Sequence, residues 1–209
     1  FNTPIEYLPF VAGWDGGWLG ETAKTQAGVT FNFHLRGLVA SEQEFADKRF
    51  KGRANYAYLR GTLAYQSSLA DDWRMNAKLA WQLAAQPLIS NEQFAVGGVA
   101  SVRGYLESAA LGDDGAALQL EASTPNLAAH LGDRVRELRL HAFADAGRVR
   151  VRQPITATDA YTLAGAGLGL NLRAAGGVTA GLEWAVALKD LNTTEAGDER
   201  AHFRLGVEW

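Results

Sequence analysis

The residues of this 209-residue chain that could do chemistry are few and scattered. A hydrolytic site needs a nucleophile, a base and an orienting group within reach of one another. The four histidines, His34, His130, His141 and His202, stand in neither a nucleophile-elbow nor a zinc-ligand spacing. With no cysteine there is no thiolate nucleophile, thiolate metal site or disulfide. The acidic pairs Asp71-Asp72 and Asp113-Asp114 read as turn chemistry rather than as metal ligands. The run GAGLG, Gly165 to Gly169, lacks the G-x-G-x-x-G spacing and the following helix of a dinucleotide loop. The expectation is a chain with no catalytic site, no metal and no cofactor.

One charged residue stands out. In VGGVASVRGY, Val96 to Tyr105, Arg103 is set among glycines and a tyrosine. It lies in the longest connection of the chain, 86–114. Connections of that length are functional or disordered, and this one is too varied in composition for disorder. Folded back against the rest of the protein, a buried guanidinium must find a partner. Two acids, Glu121 and Asp145 (the latter in FADAG), lie on strand faces that could meet it. Arginine suits such a site because its planar fork binds a carboxylate through two hydrogen bonds. The residues leave open which acid is the main partner.

The elements that must position these groups are strands. Trp73, Met75, Ala77, Leu79, Trp81 and Leu83 alternate with Arg74, Asn76, Lys78, Ala80, Gln82 and Ala84. The period of two puts apolar and polar side chains on opposite faces. The same alternation places His34, Glu121, His141, Phe143, Asp145 and His202 on polar faces. It predicts about eight or nine strands, near 5–13, 26–36, 54–67, 73–85, 115–124, 135–147, 160–173, 178–189 and 200–209. Most are about ten residues long, the length of a tilted bilayer crossing rather than of a soluble strand. Connections 69–72 and 174–177 are short and 125–134 is of medium length, while 37–53, 86–114, 148–159 and 190–199 are long. That asymmetry belongs to transmembrane barrels. Alternation by itself also fits a soluble barrel or sandwich with the apolar face inside.

Gly165, Gly167 and Gly169 share one strand face. They either make room for an inserted loop or relieve strand curvature. The formal charge of −3 lacks the basic footprint of a nucleic-acid binder. No apolar run approaches the roughly 20 residues of a membrane helix. The chain opens on Phe1 without a methionine, as a mature product or a fragment would.

The segments GGVASVRGY, GDDG…LQLEASTP, FADAG and HFRLGVEW resemble the C-terminal barrel region of two-partner secretion transporters. These are the hemolysin secretion/activation proteins of the ShlB, FhaC and HecB type, which share a superfamily with BamA. FNFHLRG, NYAYLRG and QPLISNEQFAVGG extend the resemblance over the chain. It implies an all-β, antiparallel transmembrane barrel in the bacterial outer membrane that exports a large secreted protein, not an enzyme. It implies that Val102, Arg103, Gly104 and Tyr105 form a lumen-loop motif. Asp145 would be the partner of Arg103 and Glu121 a second one, supported by Phe143 and Gly147. Phe203, Leu205, Val207 and Trp209 correspond to the outer-membrane targeting signal, with tryptophan where phenylalanine is usual. The implied partners are the secreted client, membrane lipid and the barrel-assembly machinery, and no nucleic acid. The periplasmic client-binding domains are absent and the strands are about half the family's number. The chain therefore reads as the C-terminal half of a larger barrel, or as a smaller closed one. A BamA-type assembly factor, the anchor barrel of a lipase-type enzyme and a soluble β-barrel binder are the alternatives.

Overall fold

The computed structural model describes residues 5–39 and 41–208. Nine strands pair in chain order, each antiparallel to the next: β1 (Phe10–Leu19), β2 (Ala23–Phe33), β3 (Ala57–Ser68), β4 (Arg74–Ala84), β7 (Asp114–Ser123), β8 (Val135–Arg150), β9 (Ala160–Ala174), β10 (Val178–Ala187) and β11 (Glu199–Val207). Two short strands, β5 (Phe94–Val96) and β6 (Ala110–Gly112), pair with each other inside the β4–β7 connection. One short helix, α1 (Glu42–Lys48), lies between β2 and β3.

Eight of the nine expected strands fall within a few residues of their places. The first does not: it runs over Phe10–Leu19 rather than 5–13. Pairing with β2 continues past the expected end at 13, through Gly13, Gly16 and Gly17. Gly16 makes room for a ring, since a Cβ there would lie 2.7 Å from the indole of Trp14. Residues before β1 turn inward instead, and Tyr7 packs edge-on against His34, Phe45 and Tyr56.

The sheet is inside out relative to a soluble one. Along β8, Arg139, His141, Phe143, Asp145, Gly147 and Val149 are buried while the residues between them are exposed. Apolar side chains fill the outer face in continuous rows: Phe31, Leu59 and Leu83 lie in register, as do Leu79 and Leu118, and Leu170, Leu182 and Phe203. Leu168 is 61% exposed, Leu205 72% and Phe203 86%. Leaving one such side chain in water forgoes roughly 1.5–3 kcal/mol. A whole face of them requires a lipid solvent, so the soluble barrel that alternation left open does not fit.

The inner face is closed in by the long connections. A core of Val96, Val102, Tyr105, Val149, Leu163 and Ala187 lies between the β4–β7 connection and the strands beneath it. A second cluster joins Phe45 of α1 to Tyr56, Tyr58, Leu88 and Ile89. The buried Glu92 carboxylate there accepts hydrogen bonds from the Tyr7 and Tyr58 hydroxyls. Burial first, and then Glu92, hold the Tyr7 phenol above its ordinary range. The Asp113-Asp114 pair also belongs here and corrects the turn reading. Asp113 is fully buried and accepts from the backbone N–H of Leu88 (2.7 Å) and Arg152 (2.6 Å). It thereby ties two long connections together, a tie that period-two alternation cannot foreshadow.

Candidate functional site

The β4–β7 connection reaches the inner face through its own small ladder. Beyond β5 the chain turns at Gly97 and Gly98, both with positive φ, and returns through Ser108 into β6. Arg103 sits near the tip and is only 4% exposed. Its Nε donates to Asp145 Oδ2 at 2.7 Å and its Nη2 to Oδ1 at 2.9 Å. Its backbone N–H also donates to Asp145 Oδ2, at 3.0 Å. Its Nη1 reaches Glu183 at 3.2 Å and Glu121 at 3.5 Å. The guanidinium lies over the Phe143 ring, 3.4 Å from its centre. This is the two-bonded fork that makes an arginine–carboxylate pair strong, with a π face beneath it.

The neighbouring motif residues fix the backbone. Val102 is fully buried in the core beneath the loop. Gly104 has φ +96°, and a Cβ there would stand 2.9 Å from the Ala187 nitrogen of β10. Tyr105 extends the β9–β10 ladder past its last pair, Gly165 with Ala187. Its hydroxyl accepts from the Lys189 N–H at 3.1 Å and lies 2.8 Å from the Lys189 carbonyl and 3.0 Å from that of Ala164. Gly147 faces Val102, since a Cβ on Gly147 would come 2.8 Å from a Val102 methyl.

The glycine stripe of β9 does two things. A Cβ at Gly165 would run into the Arg103 carbonyl oxygen, so this glycine makes room for the loop. Gly167 and Gly169 lie beside Phe143 and His141 in register, and those rings occupy the space a side chain would need.

Glu183 is the residue that sequence reasoning missed. It lies on β10, in register with Gly169 and through it with His141 of β8. The hairpin 174–177 fixes the β9–β10 register, so half of that row was open to reading. The other half passes through the long 148–159 connection and was not. His141 Nε2 lies 3.5 Å from Glu183 and 4.0 Å from Glu121. His34 falls beyond β2, where it is buried with Nδ1 against the Ala54 carbonyl.

A sequence model of the haemolysin secretion/activation proteins ShlB/FhaC/HecB matches residues 9–172. The chain belongs to that family. Among solved structures it is similar to CdiB from Escherichia coli, with a TM-score of 0.78 and 19% identity, over 95% of this chain and 36% of that one. It is also similar to CdiB from Acinetobacter baumannii, with a TM-score of 0.66 and 20% identity, over 95% of this chain and 34% of that one. At such identities the likeness shows the fold alone, an antiparallel β-barrel wall. The chain spans about a third of the length of these structures. No curated protein sequence matches it.

The C-terminal strand carries the remaining residues singled out in the sequence. Phe203, Leu205 and Val207 of β11 are exposed on the outer face, in register with Leu182, Ala180 and Val178. Trp209 lies outside the described residues. At the short-turn end, the inner face opens into a cavity of about 750 Å³ lined by Arg74, Asn76, Glu121, Arg139, Asn171 and Arg204, among others.

Proposed function

We propose that this chain is part of the barrel of an outer-membrane transporter that exports a large secreted partner protein of the hemolysin type. The connection 86–114 is its lumen-inserted loop. The fork from Arg103 to Asp145 is the observation that carries the reading, because it fastens a long connection to the inner wall of the strands that a client would pass. The polar inner face gives an unfolded client a hydrated path, and lipid covers the apolar face. Phe203, Leu205, Val207 and Trp209 present the end of the barrel to the assembly machinery. The remaining strands come from the rest of the transporter, since lipid tolerates no open sheet edge. Membership of a secretion family argues against an enzyme.

The test is Arg103→Ala in the full-length transporter, with a secreted client followed in culture medium. The variant is expected in the outer membrane at wild-type level with secretion severely reduced. Secretion at the wild-type rate would mean that the loop is not a working part. Clients that accumulate in the membrane rather than in the medium would move the assignment to barrel assembly.

A further inference from the structure

The charges around Arg103 do not balance. Asp145, Glu121 and Glu183 bring three negative charges against one guanidinium, a net charge of −2 with His141 neutral. Asp145 is satisfied by the fork and by a backbone N–H. Glu121 and Glu183 share Nη1, at 3.5 and 3.2 Å, and Glu121 Oε1 also accepts from Asn76 Nδ2 at 3.5 Å. Facing them is His141, whose side chain is 0% exposed and whose Nε2 has no hydrogen-bond partner among the described residues. Glu183 Oε2 is likewise buried and without a partner. Buried polar atoms are rarely left so.

We propose that Glu121, His141 and Glu183 bind a divalent transition-metal cation of the Zn²⁺ class, which braces β7, β8 and β10 behind Arg103. Donor atoms of the three side chains all lie within 4.8 Å of one another. A tetrahedral ion with ligands at about 2.0–2.2 Å holds its donors roughly 3.4 Å apart. His141 Nε2 lies 3.5 Å from Glu183 Oε1 and 4.0 Å from Glu121 Oε2, so these donors need only a small contraction towards it. Two positive charges cancel the excess of two negative ones. Glu183 Oε1 has two lone pairs, so it can bind the ion and still accept from Nη1. An imidazole with two carboxylates selects first-row transition ions over Mg²⁺ and Ca²⁺, which prefer oxygen.

The surroundings supply what such a site requires. Asn171 lies 3.3 Å from His141 Nδ1. With its amide turned to present the oxygen, it accepts the Nδ1–H and leaves the Nε2 lone pair for the metal. Gly169, beside His141 in register, leaves the ring its space. Glu121 and Asn171 also line the cavity of about 750 Å³, which gives the ion access and a water for its fourth position. The proposal does not depend on the transport assignment.

The experiment uses the untagged full-length transporter in detergent, stripped with chelator and titrated with Zn²⁺ by calorimetry, with Co²⁺ absorption reporting the coordination. Wild type is expected to take up one equivalent at this site, raising its unfolding temperature, and to give a tetrahedral Co²⁺ spectrum. His141→Ala and Glu183→Gln are expected to lose that equivalent. Asn171→Ala is expected to weaken binding about 10- to 100-fold. Because a variant could fail through misfolding, X-ray absorption on wild type must also show one imidazole ligand. The idea is overturned by wild type that takes up no Zn²⁺, by binding that survives both ligand substitutions, or by equal affinity for Mg²⁺ or Ca²⁺.

Discussion

Two arginines on the inner face invite comparison. Arg103 meets Asp145 at 2.7 Å, while Arg139, nearer the short turns, meets Asp72 at 2.6 Å and Glu137 at 2.7 Å. The two guanidiniums are equally buried, at 4% and 5%. Their partners are not. The Asp145 side chain is 0% exposed, that of Asp72 50% and that of Glu137 20%. Arg139 also donates to the carbonyls of Asp72 and Thr124. Similar distances therefore describe different energetics. What an ion pair contributes is set by the state in which each partner is left when the other is removed.

The largest effect should follow Arg103→Ala. It strands Asp145 without water and leaves Glu121 and Glu183 without their shared donor. Loss of one partner of a buried pair costs about 3–5 kcal/mol. Chemical unfolding in detergent should show a loss of that order. Arg139→Ala in the same assay should cost far less, about 0–1 kcal/mol, because water can reach the carboxylates it leaves. Equal costs for the two substitutions would defeat the comparison.

Between these extremes lie two substitutions that change how the loop is seated without touching the charges. Gly165→Ala forces a methyl against the Arg103 carbonyl. Overpacking of this kind costs about 1–3 kcal/mol. Limited proteolysis should find the 86–114 connection cleaved faster, and an unchanged rate would mean that the strand absorbs the methyl. Tyr105→Phe removes the hydroxyl that closes the β9–β10 ladder. A hydrogen bond of this sort contributes about 0.5–1.5 kcal/mol. Amide exchange should rise at Lys189, and full protection there would show that the tyrosine ring alone holds the ladder end.

The sequence showed most clearly what depends on period two. Alternation located eight strands and set Glu121, Phe143 and Asp145 on one face, where they meet Arg103. It could not reveal the β5–β6 ladder, because three-residue strands carry no usable period. It could not rank Asp145 over Glu121 either, since that depends on which acid lies beneath the fork. Glu183 escaped notice because its neighbours Gly169 and His141 come from other strands, and a register set across a long connection is not written in either strand. Glycines were ambiguous at β9, where Gly165 serves the loop and Gly167 and Gly169 serve rings.

The smallest effect tests the exposed end of the comparison. Asp72 lies in the turn between β3 and β4, held below the ordinary carboxylate range by the hydrogen bond from Arg139 and then by the Asn126 N–H. A carboxyl with a depressed folded-state pKa adds stability above its unfolded value, about 3.9, and loses it as pH falls through the folded value. Wild type should therefore exceed Asp72→Asn in unfolding temperature at neutral pH, and the two should converge in acid. Half-exposed as it is, the pair should also lose most of its effect in high salt, where screening acts within a few ångströms. A difference that persists in acid or is indifferent to salt would show that Asp72 acts through the Asn126 and Arg139 hydrogen bonds as a turn residue, with its charge contributing nothing.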